Sequence, residues 1–172
     1  MKSYLLSSLV FRFSSSELDA FNKVHAHDWL LWEPGAWKPP ASTTAVMGST
    51  PVPKQPTPPP GSTPVPGKSA GEALALAMEP RKDGKPITLG RGSDCDAVIN
   101  DGTLSQLHLV FMTGPNNTWT VRDAGSRNGS MLDGVKLLPG TPQTLKTGCK
   151  LNAAGVTFTY YGPAGMLQRL KV

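Results

Sequence analysis

A proline-rich stretch near the middle of the chain limits how much of its 172 residues can fold into one packed core. Almost half of the 17 prolines lie between Pro51 and Pro66. The sequence Ser-Thr-Pro-Val-Pro occurs there twice, beginning at Ser49 and at Ser62. Proline fixes φ and has no backbone donor, so residues 41–69 are predicted to be a flexible Pro/Thr-rich linker. The folded parts are expected on either side of it.

Residues 1–40, before the linker, are rich in aromatic side chains and hold Trp29, Trp32 and Trp37. A run of serines followed by Glu17 is typical of a helix N-terminus and predicts a short amphipathic helix over residues 16–26. The aromatic residues indicate either a small core, packed on itself or on a partner subunit, or a cage for a ligand. We expect residues 1–40 to be a docking segment for a second partner.

Residues 70–172, after the linker, have the pattern of β structure. Short apolar or β-branched runs alternate with turn signals such as Asp83-Gly84, Asp133-Gly134 and Pro139-Gly140. Many short strands separated by turns are typical of an antiparallel sandwich or barrel, so an all-β fold is predicted. Residues 163–170 are predicted to add one short C-terminal helix.

Four short motifs lie in the turns of this β region. They are Leu89-Gly90-Arg91-Gly92, Ser105-Gln106-Leu107-His108, Asp123-Ala124-Gly125-Ser126-Arg127-Asn128-Gly129 and Leu145-Lys146-Thr147-Gly148. An arginine at a loop tip presents a planar fork of donors that matches phosphate oxygens and stays charged. Ser105 offers a hydroxyl donor, and Asn128 has both a donor and an acceptor for a peptide backbone. The motifs therefore favour recognition of a phosphorylated peptide.

The order of these motifs resembles the forkhead-associated (FHA) domain family, whose members share Gly-Arg, Ser-x-x-His and Asn-Gly, over residues of about 70–162. The resemblance implies an FHA-type antiparallel β-sandwich that binds a phosphothreonine in another protein. It implies that Arg91 and Ser105 contact the phosphate and that Asn128 holds the ligand main chain just after the phosphothreonine. Gln106 and Arg127 depart from the family's usual residues and are expected to add contacts to the phosphopeptide.

The same motif residues also have structural interpretations. The expected scaffold of the binding loops consists of Gly90, His108, Asp123, Ser126 and Gly129. His108 lies in an alternating apolar strand, which favours a buried residue that hydrogen-bonds the loops over a ligand contact. Asn128-Gly129 is also the commonest signature of a tight hairpin turn, and Ser105 could be only a turn hydroxyl.

Charge and cysteine content restrict the other functions that the chain could have. The formal net charge is +5, but the basic residues form no run longer than Arg81-Lys82, so no nucleic-acid partner is predicted. Cys95 and Cys149 have no metal-ligand spacing and are expected to be free thiols in a reducing compartment. The sequence has no catalytic motif, and neither enzyme activity nor a metal or cofactor is predicted.

No run of about twenty apolar residues predicts a membrane span, and no small-residue cleavage site follows the apolar N-terminus, so a cytoplasmic location is expected. We predict a phosphothreonine-dependent adaptor acting downstream of a Ser/Thr kinase. The alternative is a structural subunit that uses the same sandwich to bind a protein without phosphate. Thr50 and Thr63, in the duplicated units, are candidate phosphoacceptors that the domain itself would bind, unless the linker is a plain spacer.

Overall fold

The computed structural model describes residues 1–33 and 73–171 of the chain. The predicted linker, with its candidate phosphoacceptors Thr50 and Thr63, lies outside the described residues, and so does Trp37. No helix of the described part is long and apolar enough to cross a membrane.

Short strands make up most of the regular structure, with three short helices near the ends of the chain. The helices are α1 (Leu6–Phe13), α2 (Leu18–Val24) and α3 (Pro163–Leu170). The strands are β1 (Ser3–Leu5), β2 (Asp28–Trp32), β3 (Leu74–Met78), β4 (Ile87–Gly90), β5 (Ala97–Val98), β6 (Leu109–Thr113), β7 (Trp119–Asp123), β8 (Ser130–Leu132), β9 (Val135–Lys136), β10 (Gln143–Thr144), β11 (Lys150–Ala153) and β12 (Val156–Tyr161).

Within the described residues the strands form two sheets. The first has the order β1-β3-β2-β12-β11-β8-β9, and all its neighbouring strands are antiparallel. The second has the order β10-β7-β6-β4-β5 and is antiparallel except for the pair β4 and β5. The predicted antiparallel β-sandwich is confirmed.

The main core fills the space between the two sheets. Along β7 and β12, fully buried residues alternate with less buried ones, as expected for strands that turn one face to a core. The first sheet contributes Leu30, Leu76, Leu151 and Phe158, and the second contributes Leu89, Leu109, Phe111 and Val121. Burial of these alternating side chains holds the two sheets together and fixes where the loops between the strands emerge.

β2 is buried on both faces, which explains why its sequence is apolar almost throughout. Leu30 faces the core between the sheets, whereas Trp29 and Leu31 face a second apolar cluster. We call this second group the helical cluster, because the three helices cover it. Its other buried members are Leu9, Phe13, Phe21, Ala75, Ala77, Met166, Leu167 and Leu170.

The predicted separation of residues 1–40 from the β domain differs from the structure. β2 lies between β3 and β12, where Trp32 is paired with both Leu74 and Phe158. The described N-terminal residues are therefore part of the sandwich, and the buried rings of Phe13, Phe21 and Trp29 pack in one cluster with residues of this chain's own β3 and α3. A hydrophobic pattern reveals which faces of a strand are buried but not which strand it pairs with, so the sequence did not indicate this.

Two helices were expected and three are found in the described residues. α2 lies within the predicted range of 16–26, but Glu17 precedes it and no side chain caps its first turn. α3 confirms the predicted C-terminal helix, with Pro163 in the first turn, where its missing N–H costs nothing. α1 was not predicted, and it buries only Leu9 and Phe13.

Candidate functional site

Three loops meet at one end of the second sheet, and they carry three of the four sequence motifs; the fourth, at residues 145–148, lies between β10 and β11. The loop after β4 holds Arg91, the loop before β6 holds Ser105, and the loop between β7 and β8 holds Asn128. The first two are joined by backbone hydrogen bonds: the Arg91 N–H donates to Ser105 O and the Gly92 N–H donates to Gln106 O, both at 2.9 Å. This pairing fixes the Arg91 backbone next to Ser105.

Gly90 allows these two loops to approach each other closely. A Cβ atom at Gly90 would lie 2.2 Å from the backbone oxygen of Gln106, so any other residue would push the loops apart. At Gly92 the same oxygen would lie 2.9 Å away. Both glycines are therefore required by close approach rather than by an unusual backbone angle.

The Gln106 carbonyl receives one more hydrogen bond, from the Cys95 thiol at 3.1 Å. Burial raises the pKa of Cys95, which keeps the thiol protonated and able to donate. Cys95 and Cys149 are both free thiols, as the sequence predicted. The Cys95 thiol thus holds the backbone of the loop by a hydrogen bond, while the Gln106 side chain is exposed.

The Ser105 hydroxyl is held in place with its hydrogen unused. Its oxygen accepts the Arg127 backbone N–H at 2.9 Å. A hydroxyl has one donor and two acceptor positions, and in the part of the chain that the structure describes nothing accepts the Ser105 hydrogen. Ser105 can therefore donate to an external oxygen from a fixed position.

His108 forms hydrogen bonds to two of the three loops. The ring is fully buried; Nδ1 accepts the Ser105 N–H at 3.0 Å and Nε2 lies 3.1 Å from Gly129 O. Because Nδ1 is an acceptor, the proton of the neutral ring lies on Nε2, which donates to Gly129. The structure therefore places His108 beneath the loops, with both ring nitrogens hydrogen-bonded.

Asp123 organises the third loop. Its carboxylate accepts the backbone N–H groups of Gly125 and Ser126, at 2.8 and 2.7 Å. It also accepts the Ser126 and Ser130 hydroxyls, both at 2.6 Å. Burial by itself would raise the pKa of Asp123, but these hydrogen bonds outweigh it and hold that pKa below its ordinary value. The carboxylate is ionised at neutral pH and keeps the loop in one conformation.

The Asn128 side chain is hydrogen-bonded to the neighbouring loop that carries Thr103. Its side-chain amide donates to Thr103 O at 2.7 Å, and within the described residues its carbonyl oxygen and its other hydrogen have no partner. Thr103 is itself held by Asp101, whose carboxylate accepts both its N–H and its hydroxyl. Asn128-Gly129 does not form a tight hairpin turn, because β7 and β8 belong to different sheets. Gly129 instead has a φ of 76°, which glycine adopts without strain.

The site has a positive surface. The Arg91 and Arg127 side chains are exposed, and neither forms an ion pair within residues 1–33 and 73–171. The structure thus brings together Arg91, Ser105, Gln106, Arg127 and Asn128 above a scaffold of Gly90, His108, Asp123, Ser126 and Gly129. The described residues include no group of three or more His, Cys, Asp or Glu that could hold a metal ion.

Two residues near the site were missed by the sequence interpretation. Thr103 supplies the oxygen that orients Asn128, and its signal was the Asp101-Gly102-Thr103 turn before the Ser105 motif. Lys136 reaches Gly129 from the neighbouring strand β9, and only the pairing of β8 with β9 brings it there. Neither residue belongs to the four motifs.

Residues 87–153 match the family model of the FHA domain. This stretch of the chain is similar to the FHA family. The matched range includes all three loops of the site, and the structure adds β2, β3 and β12 outside it to the same sandwich. A comparison with curated proteins gives no match to the sequence.

Several solved FHA domains are similar to this chain. The FHA domain of an Arabidopsis thaliana hypothetical protein is 28% identical, with a TM-score of 0.46, over 51% of this chain and 73% of that one. The N-terminal FHA domain of Rad53p from S. cerevisiae, solved with a phosphothreonine peptide, is 20% identical, with a TM-score of 0.46, over 55% and 89%. The FHA domain of CT664 from Chlamydia trachomatis is 18% identical, with a TM-score of 0.47, over 78% and 96%.

Proposed function

We propose that this FHA domain binds a phosphothreonine in another protein, so that the chain acts as a phosphothreonine-dependent adaptor downstream of a Ser/Thr kinase. The observation that carries the proposal is the Ser105 hydroxyl, which is fixed by the Arg127 N–H and has its hydrogen unused. Beside it, the Arg91 backbone is bonded to Ser105 O and its guanidinium is exposed and unpaired within the described residues. A phosphate group supplies the three acceptor oxygens that these donors need.

Each exposed residue of the site has a distinct part in this proposal. Arg91 and Ser105 hold the phosphate by charge-assisted hydrogen bonds. Asn128 holds the peptide backbone through its side-chain carbonyl oxygen and the N–H that is not bonded to Thr103. Arg127 and Gln106 flank the phosphate, where Arg127 adds a second positive charge. No step in this scheme breaks a covalent bond, so the domain is a binding module.

The test compares a phosphothreonine peptide with its unphosphorylated form on the full chain. Arg91→Ala is expected to weaken binding of the phosphopeptide about 10- to 100-fold, since a hydrogen bond to a charged group contributes about 1.5–3 kcal/mol. Ser105→Ala removes one donor and is expected to cost about tenfold. Lys82→Ala removes a positive charge before the opposite end of β4 and is the matched control.

Equal affinity of the wild-type chain for both peptides would refute the proposal. A partner captured from extract that stays bound after phosphatase treatment, and after Arg91→Ala, would favour the phosphate-independent subunit. Binding of a second partner to residues 1–40 stays a prediction; in the structure Trp29 is buried by this chain's own helices.

We also propose Thr50 and Thr63 as phosphoacceptors that the FHA domain binds in the same chain or in a second copy. Trp32 and Leu74, which lie on either side of the residues that the structure leaves undescribed, are paired in neighbouring strands of the same domain. Mass spectrometry after kinase treatment tests the modification, and Thr50→Ala with Thr63→Ala tests its effect. If both threonines stay unmodified under kinase-active conditions, the proposal is refuted and the segment is a spacer.

A further inference from the structure

Lys136 lies outside the four motifs, but the fold brings it to the loop that carries Asn128. β8 and β9 are joined by Asp133 and Gly134, whose φ values of 49° and 81° match the two-residue turn that favours tight hairpins. This hairpin pairs Lys136 with Met131, two residues beyond Gly129. The position of Lys136 is therefore fixed by backbone pairing.

The Lys136 side chain extends towards the site. Its Cε atom lies 3.9 Å from the position that a Cβ atom would occupy on Gly129. Its neighbour Leu137 is buried and donates its N–H to Ser130 O at 2.9 Å, so alternation along the strand places Lys136 on the exposed face. The ammonium group is one bond beyond Cε and therefore lies close to Gly129.

Lys136 forms no ion pair with any carboxylate of the described residues. The acid in its own turn, Asp133, accepts the Lys150 backbone N–H at 2.8 Å instead. Arg127, on the other side of Asn128, also forms no ion pair with the described residues. A peptide that leaves Asn128 towards Lys136 therefore meets a positive charge that no described carboxylate neutralises.

We propose that Lys136 is a specificity-determining residue that contacts a second anionic group, a carboxylate or a phosphate, on a ligand residue flanking the phosphothreonine. This inference rests on the proposed function, because Asn128 must hold the ligand backbone for the flanking residues to pass Gly129. Lys136 does not contribute to holding the phosphothreonine phosphate. Because the pair is exposed, its effect on affinity is modest and falls with added salt.

The experiment measures binding of the full chain to a set of phosphothreonine peptides. Each peptide carries one aspartate, moved through the flanking positions, and a second set carries phosphoserine at the same positions. The neutral peptide is the phosphothreonine peptide without a flanking acid. We expect the wild-type chain to bind the peptide with the acid at one particular position about two- to fivefold more tightly than the neutral peptide. Comparison of the aspartate set with the phosphoserine set shows whether Lys136 contacts a carboxylate or a phosphate.

The variants assign this gain to Lys136. Lys136→Gln is expected to remove it while changing the affinity for the neutral peptide less than about twofold, and Lys136→Glu to favour a lysine at that position. Lys150→Gln, on the adjacent strand near the other end of the hairpin, is the matched control and retains the gain. Urea unfolding checks that the variants keep wild-type stability.

The inference is overturned if Lys136→Gln weakens the neutral and acidic peptides equally, or changes neither. In that case binding of phosphothreonine by Arg91 and Ser105 still stands. If the wild-type chain binds no phosphothreonine peptide better than its unphosphorylated form, the proposed function itself fails, and this inference fails with it.

Discussion

His108 lies under the loops of the candidate site, whereas His25 and His27 lie against the aromatic rings of the helical cluster; all three side chains are largely buried. Both ring nitrogens of His108 have hydrogen-bond partners. Among the described residues, His25 Nδ1 and His27 Nε2 have none, and Trp29 Nε1 beside them has none either. Instead, His25 is surrounded by aromatic rings, with Tyr4, Phe13, Phe21 and Trp29 at 5.2 to 5.4 Å between centroids.

This difference shows how a buried polar group contributes to two kinds of structure. A satisfied histidine fixes the relative position of two loops, because moving either loop would break a buried hydrogen bond. An unsatisfied histidine adds apolar contact area but costs free energy through its lost hydration. We therefore expect His108 to be essential for the site, and His25 to be replaceable by an apolar ring.

The largest expected effect comes from breaking the His108 bonds. His108→Leu leaves the Ser105 N–H without its partner and removes one of the two hydrogen bonds to the Gly129 carbonyl, which also accepts the Ala154 N–H at 3.2 Å. The loss of these bonds to a fully buried ring should lower the free energy of unfolding by about 3 kcal/mol. Phosphopeptide binding should also fall, since Ser105 and Asn128 lose their common support. Urea unfolding and peptide titration measure the two effects, and a stable variant with wild-type affinity would contradict the role given to His108.

A smaller effect is expected from Asp123→Asn, which keeps the shape of the side chain but removes its charge. Four hydrogen bonds to the carboxylate weaken or reverse, so we expect a loss of about 2 kcal/mol in unfolding free energy at pH 7. The wild-type pKa of Asp123 is lowered on folding, so its contribution is present above about pH 4 and is lost as the pH falls through the folded pKa. Asp123→Asn should therefore lack this loss of stability at acid pH. If the variant loses stability with pH in the same way as the wild type, Asp123 does not have the role described here.

The smallest expected effect is the pH dependence of stability that His25 and His27 cause. Burial lowers the pKa of His25 and His27; Arg12 and Lys2 lower that of His25 further, whereas Glu79, with Oε1 3.7 Å from His27 Nδ1, opposes the shift. The unfolded chain then takes up protons below about pH 6.5 before the folded chain does, so stability should fall between pH 7 and pH 5.

His25→Phe is the variant that checks this pH dependence. It should reduce the loss between pH 7 and pH 5, keep or slightly raise stability at pH 7, and leave phosphopeptide affinity unchanged. Thermal unfolding at several pH values, with His27→Phe in parallel, gives the measurement. A pH profile identical to that of the wild type would show that His25 does not titrate in this window.

The positions of the site residues were largely accessible from the sequence, because each motif combines a local turn with a side chain of distinct chemistry. Gly90, Ser105, His108 and Asn128 were singled out by type and spacing, and the structure brings their loops together. Their contacts were not accessible. That the Ser105 hydroxyl accepts the Arg127 N–H, or that Asn128 donates to Thr103 O, depends on loops that are about 20 residues apart in sequence.

The sequence by itself determined that residues 70–172 alternate between strands and turns and that α3 begins at Pro163, since periodicity and turn residues act locally. Only the tertiary structure decided that β2 is inserted between β3 and β12, that His25 is enclosed by aromatic rings, and that Lys136 reaches Gly129. Each of these depends on pairing between strands or packing between elements. Such pairing is selected by the total area that the chain buries, and no short window of sequence contains that information.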